Sequence, residues 1–186
     1  MDGSRLNNCK KALQDIYRDN LADDDKFGLV TFASDVSVDM EFTTKRGSEE
    51  RAANMFRNIK TRGATAMFSA VSEAVAQANK HAARQTNVNT WIVLLCDGDD
   101  NRSDRKNDYV HTVVAELKRA SEAKNLQGLI AIAAGGGISR ESKANMKKLA
   151  EATKAGILIE TSDAGIGEAF GKAAARIETA GLSESL

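Results

Sequence analysis

Trp91-Ile92-Val93-Leu94-Leu95-Cys96 runs directly into Asp97-Gly98-Asp99-Asp100-Asn101. Six apolar residues rich in strand formers, closed by an acidic turn, predict a strand buried on both faces. Its carboxyl end opens into a polar loop, because Gly, Asp and Asn tolerate the backbone geometry of tight turns. Working outward, Phe68, Val71, Val75, Ala78 and Ala82 recur at helical spacing before it, and Val110, Val113, Val114, Leu117 and Ala120 do so after it. Residues 129–134 form the next apolar run, followed by a glycine loop at 135–137 and a helix through Met146, Leu149 and Ala150. A short strand at 157–159 and a helix marked by Ile166, Phe170, Ala173 and Ile177 complete the alternation. Strands alternating with helices predict a parallel, doubly wound α/β sheet covered on both faces.

The first part of the chain reads differently. Leu6, Cys9, Leu13, Ile16 and Tyr17 mark an amphipathic helix almost at the start, ended by a polar turn at 23–25. Residues 27–33 (FGLVTFA) then read as a strand buried on both faces. Val36, Val38, Met40 and Phe42 alternate with Ser37, Asp39, Glu41 and Thr43, the pattern of a half-exposed strand. The short turn between the two runs makes them an antiparallel hairpin at the sheet edge. A short helix follows over Glu49–Asn58, and Gly63-Ala64-Thr65 lies in the loop before the next one. The expected organisation is one domain over residues 1–178 and a frayed tail over 179–186.

Composition narrows the function classes. The chain has 186 residues, with 26 basic and 26 acidic side chains and a formal net charge of zero. No global field draws it toward nucleic acid or an anionic membrane. No apolar run approaches the ~20 residues of a membrane span. Two cysteines, Cys9 and Cys96, make neither a disulfide framework nor a zinc pattern, which points to a reducing, cytoplasmic setting.

The loops at the strand ends carry a resemblance. LVTFASDVSV, then RGATAMFSAV opening a helix, then IVLLCDGDDN closing a strand are similar, in order and spacing, to the von Willebrand factor A domain, over residues 1 to about 177. The resemblance implies strand order 3-2-1-4-5-6 with one antiparallel edge strand. It also implies a metal-ion-dependent adhesion site holding Mg²⁺ or a similar divalent cation, with a protein partner's carboxylate completing the coordination. Thr65 matches the family's second-loop threonine ligand and Asp97 its third-loop aspartate. Hard cations take oxygen donors of this kind, and Mg²⁺ keeps open positions for a partner's oxygen. The implied function is a protein–protein interaction or adhesion-type binding module, with no reaction and neither nucleic acid nor membrane as partner.

The sequence departs from the family at its start. The family's first strand and its Asp-x-Ser-x-Ser motif are absent; Asp2-Gly3-Ser4 offers Asp-x-Ser, but Leu6 takes the second serine position. Asp2 and Ser4 are therefore read as a helix cap. The absent strand would be the middle of the sheet. Its loss forfeits buried side chains at ~1.5–3 kcal/mol each, against a typical domain stability of ~5–15 kcal/mol. The expectation is that the native protein extends upstream; a second possibility is that the hairpin closes directly on Trp91–Cys96 in a five-stranded sheet. With Thr65 and Asp97 alone, one charge faces a dication, and metal binding is expected to be impaired.

Rival readings attach to the same loops. Asp97, Asp99, Asn101 and Asp108 fall at positions 1, 3, 5 and 12 of an EF-hand count, but Arg102 replaces the glycine needed at position 6. Otherwise Asp99, Asp100 and Asp104 are solvated loop carboxylates. Cys96 and Arg102 have a phosphatase-like spacing, yet the acidic loop repels phosphate and raises the thiol pKa. The glycines at 135–137 lack both the dinucleotide fingerprint and the P-loop lysine. His81 and His111 read as surface residues, and the scattered basic pairs as solvated faces. Two alternatives to metal-dependent adhesion remain: a Mg²⁺-dependent phosphate-handling enzyme using Asp97 and Asp99, and a metal-free interaction scaffold. Thr65 has a plainer role open to it as well, capping the helix that follows.

Overall fold

The computed structural model describes residues 3–61, 63–85, 88–103 and 109–182, with side chains through Ala180. Asp2, Arg62, Asp104, the Arg105-Lys106 pair, Asp108 and the last four tail residues lie outside the described residues. The elements run α1 (Gly3–Asp19), β1 (Lys26–Phe32), β2 (Val36–Thr44), α2 (Glu49–Asn58), α3 (Met67–Ala82), β3 (Trp91–Cys96), α4 (Tyr109–Glu122), β4 (Gly128–Ala134), α5 (Arg140–Glu151), β5 (Ile157–Thr161) and α6 (Ile166–Leu182). This is the expected α/β alternation with its antiparallel hairpin.

Strand β4 organises the core because all seven of its residues are buried. It pairs in parallel with β3 on one side and β5 on the other. Successive side chains of a strand point to opposite faces, so β4 feeds two clusters. Leu129, Ala131 and Ala133 join Val71 and Val75 of α3, Val113 and Leu117 of α4, and Met146 and Leu149 of α5. Ile130, Ile132 and Ala134 join Ala12 of α1 and Ile166, Phe170 and Ala173 of α6.

Strands β1 and β2 form a separate antiparallel pair, with a register break around Gly28. Tyr17, Phe27 and Phe56 meet edge to face beneath it, and the Tyr17 hydroxyl bonds Ser48 Oγ at 2.8 Å. Leu13 of α1 packs against this cluster and also against the β4–α6 cluster, so α1 ties the hairpin to the parallel sheet.

Four expectations are corrected. The five-stranded closure does not form: among the described residues β1 pairs with β2 only, and the three parallel strands make their own sheet. Neither β1 nor β3 is buried throughout. Only Leu29 in β1, and Leu94 and Cys96 in β3, are buried, because each strand is paired along one edge rather than two. Helix α6 runs through Leu182, past the predicted fraying point, and Thr179 Oγ1 donates back to the Ala175 carbonyl at 2.6 Å. His81 is half-buried rather than a surface residue, stacked on Phe42 with ring centroids 4.5 Å apart.

Candidate functional site at the strand ends

Two loops at the carboxyl end of the sheet are stitched together by backbone and by short polar side chains. The Thr65 carbonyl accepts from the Asn101 and Arg102 amides at 2.9 and 3.1 Å. The Thr65 amide donates to Asn101 Oδ1 at 3.0 Å. Helix α3 begins after Ala66, which has no side chain able to cap. The cap comes instead from the neighbouring loop: Asp100 Oδ2 accepts from the Phe68 amide at 2.9 Å, and Ser103 Oγ accepts from the Ser69 amide at 3.0 Å. Asp100 also accepts from Ser103 Oγ at 2.6 Å and from the Ser103 amide at 3.0 Å. The first-turn amides of a helix lack internal partners, and a carboxylate there also complements the helix dipole.

Thr65 is therefore not the helix cap. Its Oγ1 sits 3.6 Å from where a side chain on Gly98 would begin, beside Asp97. The structure thus brings Thr65 against Gly98, the residue that follows Asp97 in the loop after β3. Asp99 and Asp100 are not idle solvated carboxylates. Asp99 Oδ1 accepts from the Ser139 amide at 2.8 Å, and Ser139 in turn caps α5 by accepting from the Ser142 amide. Ser4, read as part of a cap, lies within the first turn of α1.

Asp97 is engaged by a residue that sequence reasoning missed. Arg5 Nη1 donates to Asp97 Oδ2 at 2.7 Å, while Arg5 Nε and Nη2 form a two-pronged bond to Asp163 at 2.7 Å each. Arg5 and Asp97 side chains are only 18% and 16% exposed, which separates this pair from solvated surface pairs, while Asp163 is 40% exposed. Partial burial pushes the Asp97 carboxyl up, and hydrogen bonds from cationic groups, Arg5 among them, outweigh it and hold the carboxyl below the usual range. Arg5 likewise holds Asp163 down. The one available signal was positional: Asp163 follows β5 as Asp97 follows β3, and two strand-end carboxylates call for a cation.

The glycine loop has a steric role here. Gly135 adopts φ +80°, and a Cβ at that position would stand 2.5 Å from Asp163 Oδ1 and 3.1 Å from Arg5 Nη2. Cys96 lies under the same rim, donating to the Gly98 carbonyl at 3.2 Å. Burial pushes its thiol up to about 11, with the Asp97 and Asp100 charges adding to the shift. Burial does the same to Cys9, also to about 11. A thiol held neutral in this way is the opposite of a phosphatase nucleophile, which works as the thiolate.

Both thiols are expected to resist a thiol-reactive dye at neutral pH and to react fully once the chain is unfolded. The stability they contribute by staying neutral is present below the unfolded thiol pKa of about 8.5, and is lost as pH climbs through about 11. A denaturation series from neutral to alkaline pH checks the sign. Rapid labelling of the native chain would contradict the burial argument.

The sequence matches the family model of the von Willebrand factor type A domain over residues 1–171. The chain belongs to that family. Solved structures of similar fold include the conserved hypothetical protein BatB from Bacteroides thetaiotaomicron, at 19% identity and TM-score 0.68, covering 94% of this chain and 87% of that one. The von Willebrand factor domain of the type V pili tip protein Mfa5 from Porphyromonas gingivalis aligns at 13% identity and TM-score 0.72, covering 97% and 91%. Proximal thread matrix protein 1 from the mussel byssus aligns at 17% identity and TM-score 0.63, covering 92% of this chain and 42% of that one. Among curated proteins, none matches the sequence.

Members of this family commonly carry a divalent cation at the strand ends. The described residues of this von Willebrand factor A domain do not fit one. Among the described residues no three His, Cys, Asp or Glu side chains converge on a common point. The carboxylate best placed for a metal, Asp97, already accepts from the Arg5 guanidinium.

Proposed function

We propose that this domain is a protein–protein interaction module whose partner docks on the strand-end rim formed by Thr65, Asp97 and the loops that carry them. The observation that supports this reading is the placement of Thr65 beside Gly98, next to Asp97 in sequence, on a rim held rigid by Asp100, Asn101 and Ser103. Such a prearranged surface limits the entropy lost on binding. The Thr65 hydroxyl makes no hydrogen bond among the described residues and is left for a partner. In the family's metal-dependent mode Thr65 and Asp97 would be cation ligands and a partner's carboxylate would complete the shell. In this chain Asp97 is spoken for, so recognition rests on the rim's own polar groups, in the manner of a metal-free interaction scaffold. The phosphate-handling alternative loses support, because Asp99 is bonded to the backbone at the start of α5.

A photo-crosslinking residue placed at exposed Arg102, whose backbone amide alone joins the rim among the described residues, tests the reading, with exposed Lys124 of the α4–β4 turn as the control position. In the cells of origin, position 102 is expected to capture a discrete protein that position 124 does not. Adding Thr65→Ala is expected to cut that capture by about three- to tenfold, the loss of one hydrogen bond. Equal capture from both positions, or capture indifferent to Thr65, would sink the rim as the binding surface.

A further inference from the structure

We infer that Arg5 is a built-in cation that takes over the divalent ion's electrostatic role, making the rim of this von Willebrand factor A domain independent of metal. Three elements meet on its guanidinium: α1 supplies the arginine, the end of β3 supplies Asp97, and the turn after β5 supplies Asp163. All three contacts are 2.7 Å long. A fork of fixed donors suits this geometry, with two parallel bonds to one carboxylate and a single bond to the other.

Sterics agree with the charge argument. Gly135 lacks the side chain that would run into both Asp163 Oδ1 and Arg5 Nη2, so the backbone of the β4–α5 loop is shaped around this pair. The fork also binds Asp163, a residue with no counterpart among the ligand positions that the resemblance implies. The interaction is thus a site in its own right and not a remnant of a metal centre.

Permanence is the consequence. Arginine does not deprotonate in proteins, and no chelator removes it. A dication approaching Asp97 meets a fixed positive charge on that same carboxylate, and the two repel. The rim therefore keeps its shape whatever the local divalent-ion concentration, unlike a surface whose ligand loops close on a metal.

The test needs no partner, so its failure is separable from failure of the docking reading. Mn²⁺ is titrated calorimetrically into the full chain as wild type, Arg5→Gln, Arg5→Lys and Arg5→Gln with Asp163→Asn. Melting curves are recorded with and without EDTA. The wild type is expected to show no binding heat at millimolar Mn²⁺ and no shift of Tm with chelator. Arg5→Gln takes the guanidinium, and its repelling charge, off Asp97 and Asp163, so its Mn²⁺ affinity is expected to rise about tenfold or more. Asp163→Asn added to it returns the response toward wild type. Arg5→Lys retains the charge without the fork, and serves if Arg5→Gln does not fold; it is expected to stay blind to Mn²⁺.

Sub-millimolar Mn²⁺ binding by the wild type would overturn the inference. So would a folded Arg5→Gln chain that loses stability yet stays blind to Mn²⁺, since Arg5 would then be an ordinary structural ion pair. Arg5→Lys binding Mn²⁺ as tightly as Arg5→Gln would overturn it as well.

Discussion

A Gly156→Ala chain is expected to unfold with a loss of about 3 kcal/mol, the upper end of what overpacking costs. Gly156 links α5 to β5 at a point where three backbone and side-chain oxygens crowd its α-carbon. An alanine Cβ would stand 2.1 Å from the Ala150 carbonyl oxygen, 2.5 Å from Thr153 Oγ1 and 2.7 Å from the Leu129 carbonyl oxygen. None of these is the loose end of a flexible chain. The Thr153 hydroxyl is buried and doubly used, accepting from the Leu129 amide and donating to the Ala150 carbonyl, both at 2.9 Å. Relief of the clash must move either the end of α5 or the start of β4, and β4 is buried along its whole length. In a domain of this size the loss corresponds to a fall in Tm of about 6–12 °C. Urea denaturation measures it directly, and a cost below about 1 kcal/mol would mean that the α5–β5 turn relaxes more freely than its oxygens suggest.

Asp100→Ala is expected to cost about 2–3 kcal/mol, the sum of a lost helix cap and stranded donors. The Asp100 carboxylate collects four donors: the amides of Phe68, Arg102 and Ser103, and the Ser103 hydroxyl. Its loss frees the start of α3 and the loop after β3 together. Asp100→Asn keeps one acceptor oxygen and is expected to lose about half as much. The functional consequence separates this residue from a mere cap. Crosslinking from position 102 is expected to fall with Asp100→Ala although Thr65 and Asp97 are untouched, because the two loops that carry them are no longer held together. Unchanged capture at reduced stability would show that the rim does not need this staple.

Local pattern made most of the architecture legible. Residues such as Val113 and Leu117, or Met146 and Leu149, sit at helical spacing because one helix face must be buried, and the structure buries all four completely. Trp91–Cys96 and Glu49–Asn58 have the bounds that their composition predicts. That the loops carrying Thr65 and Asp97 belong together was an expectation of the resemblance alone. Spacing within either loop says nothing about the distance between them.

What local pattern could not supply was the partner of each polar group. Asp99, Asp100 and Ser103 resemble any acidic turn in sequence, and it is the packing of α3 and α5 beside the loop that makes them caps. Arg5 sits on a short first turn with no motif around it; 92 residues separate it from Asp97 and 158 from Asp163. Half-burial of β1 and β3 was likewise invisible, since apolar composition reports what a strand can cover and not which neighbours stand beside it. The sequence by itself thus determined the kind and order of the elements, through short-range periodicity and backbone preference. Only the tertiary structure decided which charges meet at the strand ends, because Coulomb and hydrogen-bond partners are chosen by distance in space, and the chain folds remote residues into contact.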